Sequence, residues 1–386
     1  MVVTEFPPNA RGGGGALVSQ MLAGYPTKCI CWWNCRPANG HRESHNFRHY
    51  QFPLPNRLYP NVRLSGIKAW LLEKFWVPLA TVHLRKTVAQ IAPDQIWLML
   101  HAWSIPPIYE AGLVESHSCH ASIWDYQDGS HFFGHFGRER SRRFADMAES
   151  LYQRAATCDA VSLPMLEDLA QRTGRRDAII VHSGLEPAQL ETIAADISPP
   201  TSEIRIAYAG TIIVSETFEL FVRALESIRH KLSRPLRLEF FGGSNHHRTR
   251  WFNSEWMKEH SRMDEADLLK TLRQCTWGLT LMDVTDKNPR YNRFSFPNKF
   301  GTYLSAGLPL IVIAHSESSA AKIAKVYHLG VYTDCQDVVP LAKQLLTALV
   351  EENPRQRFRS EILRCAQNEF DAMKMRRQLW AHFGVK

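Results

Sequence analysis

The sequence has no long hydrophobic run. Its longest apolar stretch, residues 96–100 with His101-Ala102-Trp103 behind it, falls well short of the roughly 18 residues a membrane span needs. No helical span is therefore expected. The opening MVVTEFPPNARGGGG has no charged segment followed by an apolar one, so no signal peptide is expected either. There is no zinc-finger spacing, no RNP-like aromatic motif and no heptad-borne basic region; nucleic acid is not an expected partner. Cysteine is sparse, with eight thiols scattered over 386 residues, a usage that reads as reduced and cytoplasmic. Acid is in deficit: 46 Lys and Arg against 38 Asp and Glu leave a net charge of +8. That balance favours anionic partners, whether phosphorylated substrates or acidic membrane surfaces, without choosing between them.

What is present is a soluble globular composition, 45% hydrophobic and 22% charged, on a chain long enough for two α/β domains. Residues 2–6 form a short β-branched run, residues 12–15 are four glycines, and Ala16 begins a helical pattern. Strand, glycine loop and helix open a Rossmann-type unit. The strand is shorter than is usual for a central one, which predicts a start codon further upstream. A second strand is expected at 29–33, followed by a polar loop over 37–60. Residues 64–92 have helical periodicity, with Ile67, Trp70, Leu71, Phe75 and Leu79 as the expected core face and Pro78 as a kink. Strands at 95–100, 120–124, 160–163 and 178–182 alternate with helices, as in a parallel sheet.

Residues 197–203, carrying Pro199-Pro200, read as a linker. The pattern then begins again, with strands at 204–208, 236–241, 277–282 and 310–314 and helices at 217–232, 265–275 and 299–306. Residues 1–197 and 204–365 are thus two Rossmann-like parallel-sheet domains, and 366–386 a closing helix. Ligands in such sheets sit at the carboxyl ends of the strands.

The strongest chemical signal is Ser295-Phe296-Pro297-Asn298-Lys299, running into the expected 299–306 helix and the stop Gly307-Leu308-Pro309. A loop before a helix exposes backbone N–H groups, and a lysine one turn in can face an anion with them. An ordinary αβ unit with a Gly-Pro stop would look similar. Arg290 and Arg293 lie upstream on the same loop, where a solvated basic loop is the competing reading. The glycines at 12–15, Gly13 and Gly14 in particular, let backbone approach a ligand closely; a flexible turn is the alternative. Asp125 and Asp128 follow a strand, where a carboxylate could meet acceptor hydroxyls or assist proton transfer. Asp128-Gly129 is also a normal turn dipeptide. His131 joins them as an acceptor-side candidate. Cys29, Cys31, Cys35, His41, His45 and His49 are the one metal-like group, but two of the cysteines fall in an expected buried strand and no metal is expected. Trp70, Phe75 and Trp76 beside Lys68, Lys74, Arg85 and Lys86, with Arg138, Arg140, Arg142 and Arg143, suggest weak contact with an anionic membrane surface. A core face is the commoner meaning of such a stripe.

Residues 295–309 resemble the S-x-P-x-K…Y-L-A-x-G-x-P signature of bacterial family-4 type glycosyltransferases (glycosyl transferases group 1). Phe6-Pro7-Pro8 with the glycines at 12–15 resembles their opening loop, and residues 156–162 their A-D-x-V-I-x-x-S strand. Residues 180–187 stand where they carry V-I-P-N-G-V-D, and Tyr208-Ala209-Gly210 opens their second domain. The resemblance implies a GT-B architecture, two Rossmann-like domains facing across a cleft, with the last helix returning to the first domain. It implies transfer of a sugar from a nucleotide-sugar donor to a hydroxyl acceptor, carbohydrate or lipid-linked, in polysaccharide or glycolipid assembly, with retention and without a metal cofactor. The donor would be bound by Gly13, Gly14, Gly210, Thr211, Arg293, Ser295, Pro297, Asn298, Lys299 and Thr302. Lys299 and Asp125 would be catalytic, and Asp128 and His131 would hold the acceptor. The enzyme would be cytoplasmic and peripheral at the inner membrane face. Three departures stand out. The family's two glutamates fall on Phe294 and Thr302, residues 211–219 lack its basic pair, and its H-D is Trp124-Asp125. These feed an alternative, a non-catalytic relative that binds a glycan or nucleotide.

Overall fold

The structure is a computed structural model and describes all residues except 9–12, 37–46, 59–63, 129–136, 195–201, 243–244, 286, 288 and 385–386. It divides into two compact units, Met1–His182 with Lys374–Lys386, and Ser183–Met373. The Pro199-Pro200 linker and His131 lie outside the described residues.

The first unit is built on seven strands: β1 (Val2–Thr4), β2 (Cys31–Asn34), β3 (Arg48–Gln51), β4 (Ile96–Met99), β5 (Cys119–Ile123), β6 (Thr157–Ala160) and β7 (Ile179–Ile180). Their order is β3-β2-β1-β4-β5-β6-β7, and every pairing is parallel. Short as it is, β1 is central: Val3 pairs with Trp33 on one side and Leu98 on the other. Its neighbours Cys-Trp-Trp-Asn and Ile-Trp-Leu-Met are buried along their whole length, as strands covered on both faces must be.

The structure corrects several sequence expectations. The second strand starts at Cys31, because Pro26 opens a 3-10 turn over Thr27–Cys29 in which Cys29 N–H donates to the Pro26 carbonyl (2.9 Å); Cys29 is exposed. Inside the expected polar loop lies the edge strand β3, whose Arg-His-Tyr-Gln has no apolar residue to announce it. The Gly13–Met21 helix begins three residues early, so Gly13 and Gly14 form its first turn and not a loop. A Cβ at Gly14 would sit 2.9 Å from the Phe6 ring.

The long helical segment holds the largest correction. It runs Ser65–Leu71, widens into a π-helix over Leu72–Trp76, and continues Val77–Ile91. The wide turn ends just before Pro78, which has no N–H and would crowd the preceding turn of a regular helix. Its packed face is Ala69, Leu72, Trp76, Ala80, Leu84 and Val88. The stripe expected in the core points outward: Ile67 is 59%, Trp70 53%, Phe75 59% and Leu79 60% exposed.

The first unit closes with the Ala372–His382 helix, whose Met375 and Leu379 are buried against Leu17, Val18 and Met21. Arg376 donates to the Ala23 carbonyl (3.1 Å) and Trp380 Nε1 to that of Met21 (2.9 Å).

The second unit has six strands: β8 (Ile204–Ala209), β9 (Leu236–Phe241), β10 (Met257–His260), β11 (Trp277–Leu281), β12 (Leu310–Ile313) and β13 (Gly330–Thr333). The order is β10-β9-β8-β11-β12-β13, again all parallel. Alternate residues serve opposite faces. Ala207, Ala209, Leu310 and Val312 enter one apolar core and Ile206, Tyr208, Ile311 and Ile313 the other. The second core takes Phe218, Phe221 and Leu225 from the Ser215–Ile228 helix, each worth roughly 1.5–3 kcal/mol of burial. In both sheets the strand order reverses once, between β1 and β4 and between β8 and β11. Those reversals are where an open α/β sheet leaves a crevice at its carboxyl edge.

Candidate functional site

In the second unit β8 ends in Tyr208-Ala209 and turns at Gly210, whose φ of +95° only glycine adopts without strain. Gly242, at the end of β9 with φ +152°, packs on it; a Cβ there would lie 3.2 Å from Gly210 Cα. The turn is tied from both sides. Tyr208 donates its hydroxyl to the Thr211 carbonyl (3.0 Å), and Ala209 N–H donates to the Tyr303 hydroxyl (2.7 Å). Tyr303 lies over Gly278 of β11, where a Cβ would meet its ring at 2.5 Å. Gly278 therefore makes room for the tyrosine that holds the end of β8.

Lys299 opens the helix Lys299–Ser305 and lays its ammonium over the Tyr208 ring, 3.9 Å from the centroid. Cation–π attraction stabilises the charge there but does not neutralise it. Among the described residues no carboxylate pairs with this lysine, and burial pushes its pKa down to about 8. Holding the charge in the folded chain thus costs about 3 kcal/mol relative to water. A cation held at that cost, with no counter-ion among the described residues, at the switch point of a parallel sheet, has the chemistry to receive an anion.

The segment before Lys299 is ordered by local bonds. Asn298 is exposed and accepts from Ser183 Oγ (2.9 Å), and the Pro297 carbonyl accepts from Phe300 N–H (3.0 Å). Ser295 Oγ is buried with no partner among the described residues. Arg293 lies in the Pro289–Phe294 helix, its carbonyl accepting from Ser319 Oγ (3.0 Å). Thr302 is half-buried, and its carbonyl accepts from Ser305 Oγ (2.8 Å). Of the expected donor residues, Gly210, Thr211 and Lys299 are thus brought together through Tyr208, a residue the sequence reading used only as part of a motif.

At the corresponding reversal in the first unit, the residues just past β1 and β4 are Glu5 and His101. His101 Nδ1 and Glu5 Oε2 are 2.8 Å apart, with the carboxylate side chain 2% and the imidazole 33% exposed. Burial lowers the imidazole pKa, but the Glu5 hydrogen bond and charge, with Asp125 behind them, outweigh it and raise the value above 6.5. Asp125 follows β5, its carbonyl accepting from Gln127 Nε2 (3.0 Å). Asp128 sits in the turn beyond. Gln127 also receives Ala102 N–H on its side-chain oxygen (2.8 Å). Sequence reasoning missed Glu5 and His101. The usable signal was position: each stands immediately beyond an apolar strand, on the edge where parallel sheets bind ligands. Of the cysteine and histidine group, Cys31 and Cys35 are buried and His49 pairs with Asn34 Oδ1 (2.6 Å).

Two parallel sheets of this order, each with a polar group at its reversal, make the fold that of the GT-B glycosyltransferases. Within the second unit, residues 219–350 match the family model for the C-terminal domain of glucosyltransferase 3-like proteins. The chain is similar to a sucrose-phosphate synthase from Thermosynechococcus elongatus at 13% identity and TM-score 0.69, covering 99% of this chain and 98% of that one. It is also similar to a UDP-forming trehalose-phosphate synthase from Burkholderia xenovorans, in complex with glucose-6-phosphate, at 13% identity and TM-score 0.67, covering 98% of each chain. A glycosyltransferase from Rickettsia africae aligns at 11% identity and TM-score 0.67, covering 99% of this chain and 97% of that one. Comparison with curated protein sequences finds no match.

Proposed function

We propose that this protein is a glycosyltransferase that moves a sugar from a nucleotide-sugar donor to a hydroxyl acceptor. The observation that carries the reading is the Lys299 ammonium, held over Tyr208 at the β8–β11 reversal with no counter-ion among the described residues. Breaking a nucleotide-sugar bond leaves charge on the departing diphosphate. A fixed cation in a water-poor setting stabilises that charge more than it stabilises the bound donor. Lys299 over Tyr208, with the Gly210-Thr211 turn that follows this tyrosine and with Ser295 and Arg293 upstream in the sequence, is the leaving-group site, and the second unit is the donor unit. The first unit is the acceptor unit, with Asp125 and Asp128 on its carboxyl edge. No metal is needed where a lysine supplies the charge. The donor's own phosphate takes the acceptor proton, which goes with retention of configuration.

The exposed Ile67, Trp70, Phe75 and Leu79 stripe supports contact with the inner membrane face, and so a lipid-linked acceptor in polysaccharide or glycolipid assembly. Glu73 is the one acidic residue between 64 and 91, and Arg140 (2.8 Å) and Arg143 hold it. Lys68, Lys74 and Lys86 flank the stripe, the pattern of a helix that lies on an anionic surface.

Calorimetry with UDP tests the donor site. Loss of a charge-assisted bond in Lys299→Ala should weaken binding about ten- to a hundredfold. Wild-type affinity should fall as pH rises through about 8, where Lys299 loses its proton; the variant should show no such fall. Equal affinity in the two proteins removes the reading's main support. Phe294 and Thr302, at the positions of the family's glutamates, favour a second reading of binding without turnover. Hydrolysis of UDP-glucose by the wild-type chain would exclude it.

A further inference from the structure

The reversal between β1 and β4 holds more than the acceptor reading used. Glu5 is buried, and only one of its carboxylate oxygens, Oε2, is bonded to His101. The other, Oε1, is buried and has no hydrogen-bond partner among the described residues. A buried carboxylate oxygen without a donor costs the full desolvation of that atom. The backbone beside it is strained as well. Ala102 has φ +44°, a left-handed conformation unfavourable for a non-glycine residue. Neighbours hold it there: Gln127 Oε1 takes its N–H (2.8 Å), and Ser104 Oγ donates to the carbonyls of His101 (2.7 Å) and Met99 (3.0 Å). The strained residue directly follows His101, which meets Glu5. An unsatisfied carboxylate and a strained turn at one sheet reversal mark a prepared site.

We propose that Glu5 and His101 form a binding site for a neutral sugar, with Glu5 Oε1 accepting a hydrogen bond from a ring hydroxyl and His101 fixing the carboxylate that accepts it. The inference deepens the glycosyltransferase reading and rests on it for the choice of a sugar as ligand. The charges facing the imidazole are Glu5 and Asp125 on one side of the balance and Arg36 on the other. Two carboxylates repel an anion, so this site selects hydroxyls where Lys299 selects phosphate. His101 is a positioning residue.

The test is the His101 ring resonance, assigned by its loss in His101→Gln and followed by NMR with D-glucose, glucose 6-phosphate or inorganic phosphate as probe. Glucose should move the resonance in the wild type, and inorganic phosphate should not. Glucose 6-phosphate should act through its sugar, at an affinity no better than glucose. In Glu5→Gln the glucose affinity should fall about ten- to a hundredfold, and the His101 titration midpoint should drop. A resonance that responds to phosphate and not to glucose overturns the proposal, as does an unchanged response in Glu5→Gln. If Glu5→Gln does not fold, the glucose-against-phosphate comparison in the wild type decides alone. UDP calorimetry separates the two claims. A chain that takes up glucose here but no UDP refutes the donor-site reading, and one that binds UDP but gives no glucose response refutes this inference.

Discussion

The two units share a strand order and a parallel sheet, and each places its polar groups where that order reverses. Their chemistry is opposite. The first unit puts a carboxylate–imidazole pair there, its carboxylate buried, while the second puts a single lysine over a tyrosine ring. The fold therefore determines where a ligand can be met, and two or three residues past the strand ends determine which ligand it is. The supports differ too. In the first unit a strained alanine donates its N–H to Gln127, and Ser104 donates to the His101 carbonyl just before it. In the second, glycines at 210, 242 and 278 clear the space and Tyr303 anchors the turn.

The comparison can be broken most violently at Gly278. A valine there would drive side-chain atoms into the Tyr303 ring and detach the hydroxyl from Ala209 N–H. Overpacking of this kind should cost on the order of 3 kcal/mol. UDP binding should vanish, while the His101 titration in the first unit stays as it was. Thermal denaturation with both readouts checks it, and loss of both together would mean the units are not independent in stability.

Lys299→Met should do the reverse. The folded-state pKa of Lys299 is lowered to about 8 from 10.5. The charged form is thus disfavoured by folding at every pH below 8, and the penalty fades as pH rises from 8 to 10.5. Removing the charge should raise the melting temperature at pH 7 by about 5–10 °C for a unit of this size. The gain should disappear by pH 10.5. A lower melting temperature at pH 7 would mean the lysine has a partner that stabilises it.

The smallest effect on stability belongs to Leu79→Glu. Its side chain is exposed, so stability should change by no more than about 0.5 kcal/mol, while sedimentation with anionic phosphatidylglycerol vesicles should weaken. Unchanged vesicle binding would leave the outward stripe without its membrane role.

Much of this was legible in the chain and some was not, for physical reasons. The expected strand over 236–241 coincides with β9, and those at 204–208 and 310–314 miss β8 and β12 by a single residue. Continuous apolar strands announce themselves. The edge strands β3 (Arg-His-Tyr-Gln) and β10 (Met-Lys-Glu-His) do not, because one side of an edge is wet and tolerates charge. Lys299 could be found because its motif is local. Glu5 and His101 each carry a positional signal at a strand end, but their pairing was not legible, since 96 positions separate them and only the pairing of β1 with β4 makes them neighbours. The 64–92 helix shows a limit of periodicity itself, which reveals that two faces differ but not which one is packed.

The docking of Met375, Leu379 and Trp380 onto the Gly13–Met21 helix and the turn after it has a consequence for synthesis. Residues 183–373 close on themselves, so that unit needs nothing made after it to complete its core. The unit made first has to wait. Its Leu17, Val18 and Met21 stay uncovered until some 350 further residues have been translated and have left the ribosome. A released chain truncated before residue 374 should therefore present a protease-resistant second half and a cleavable first half.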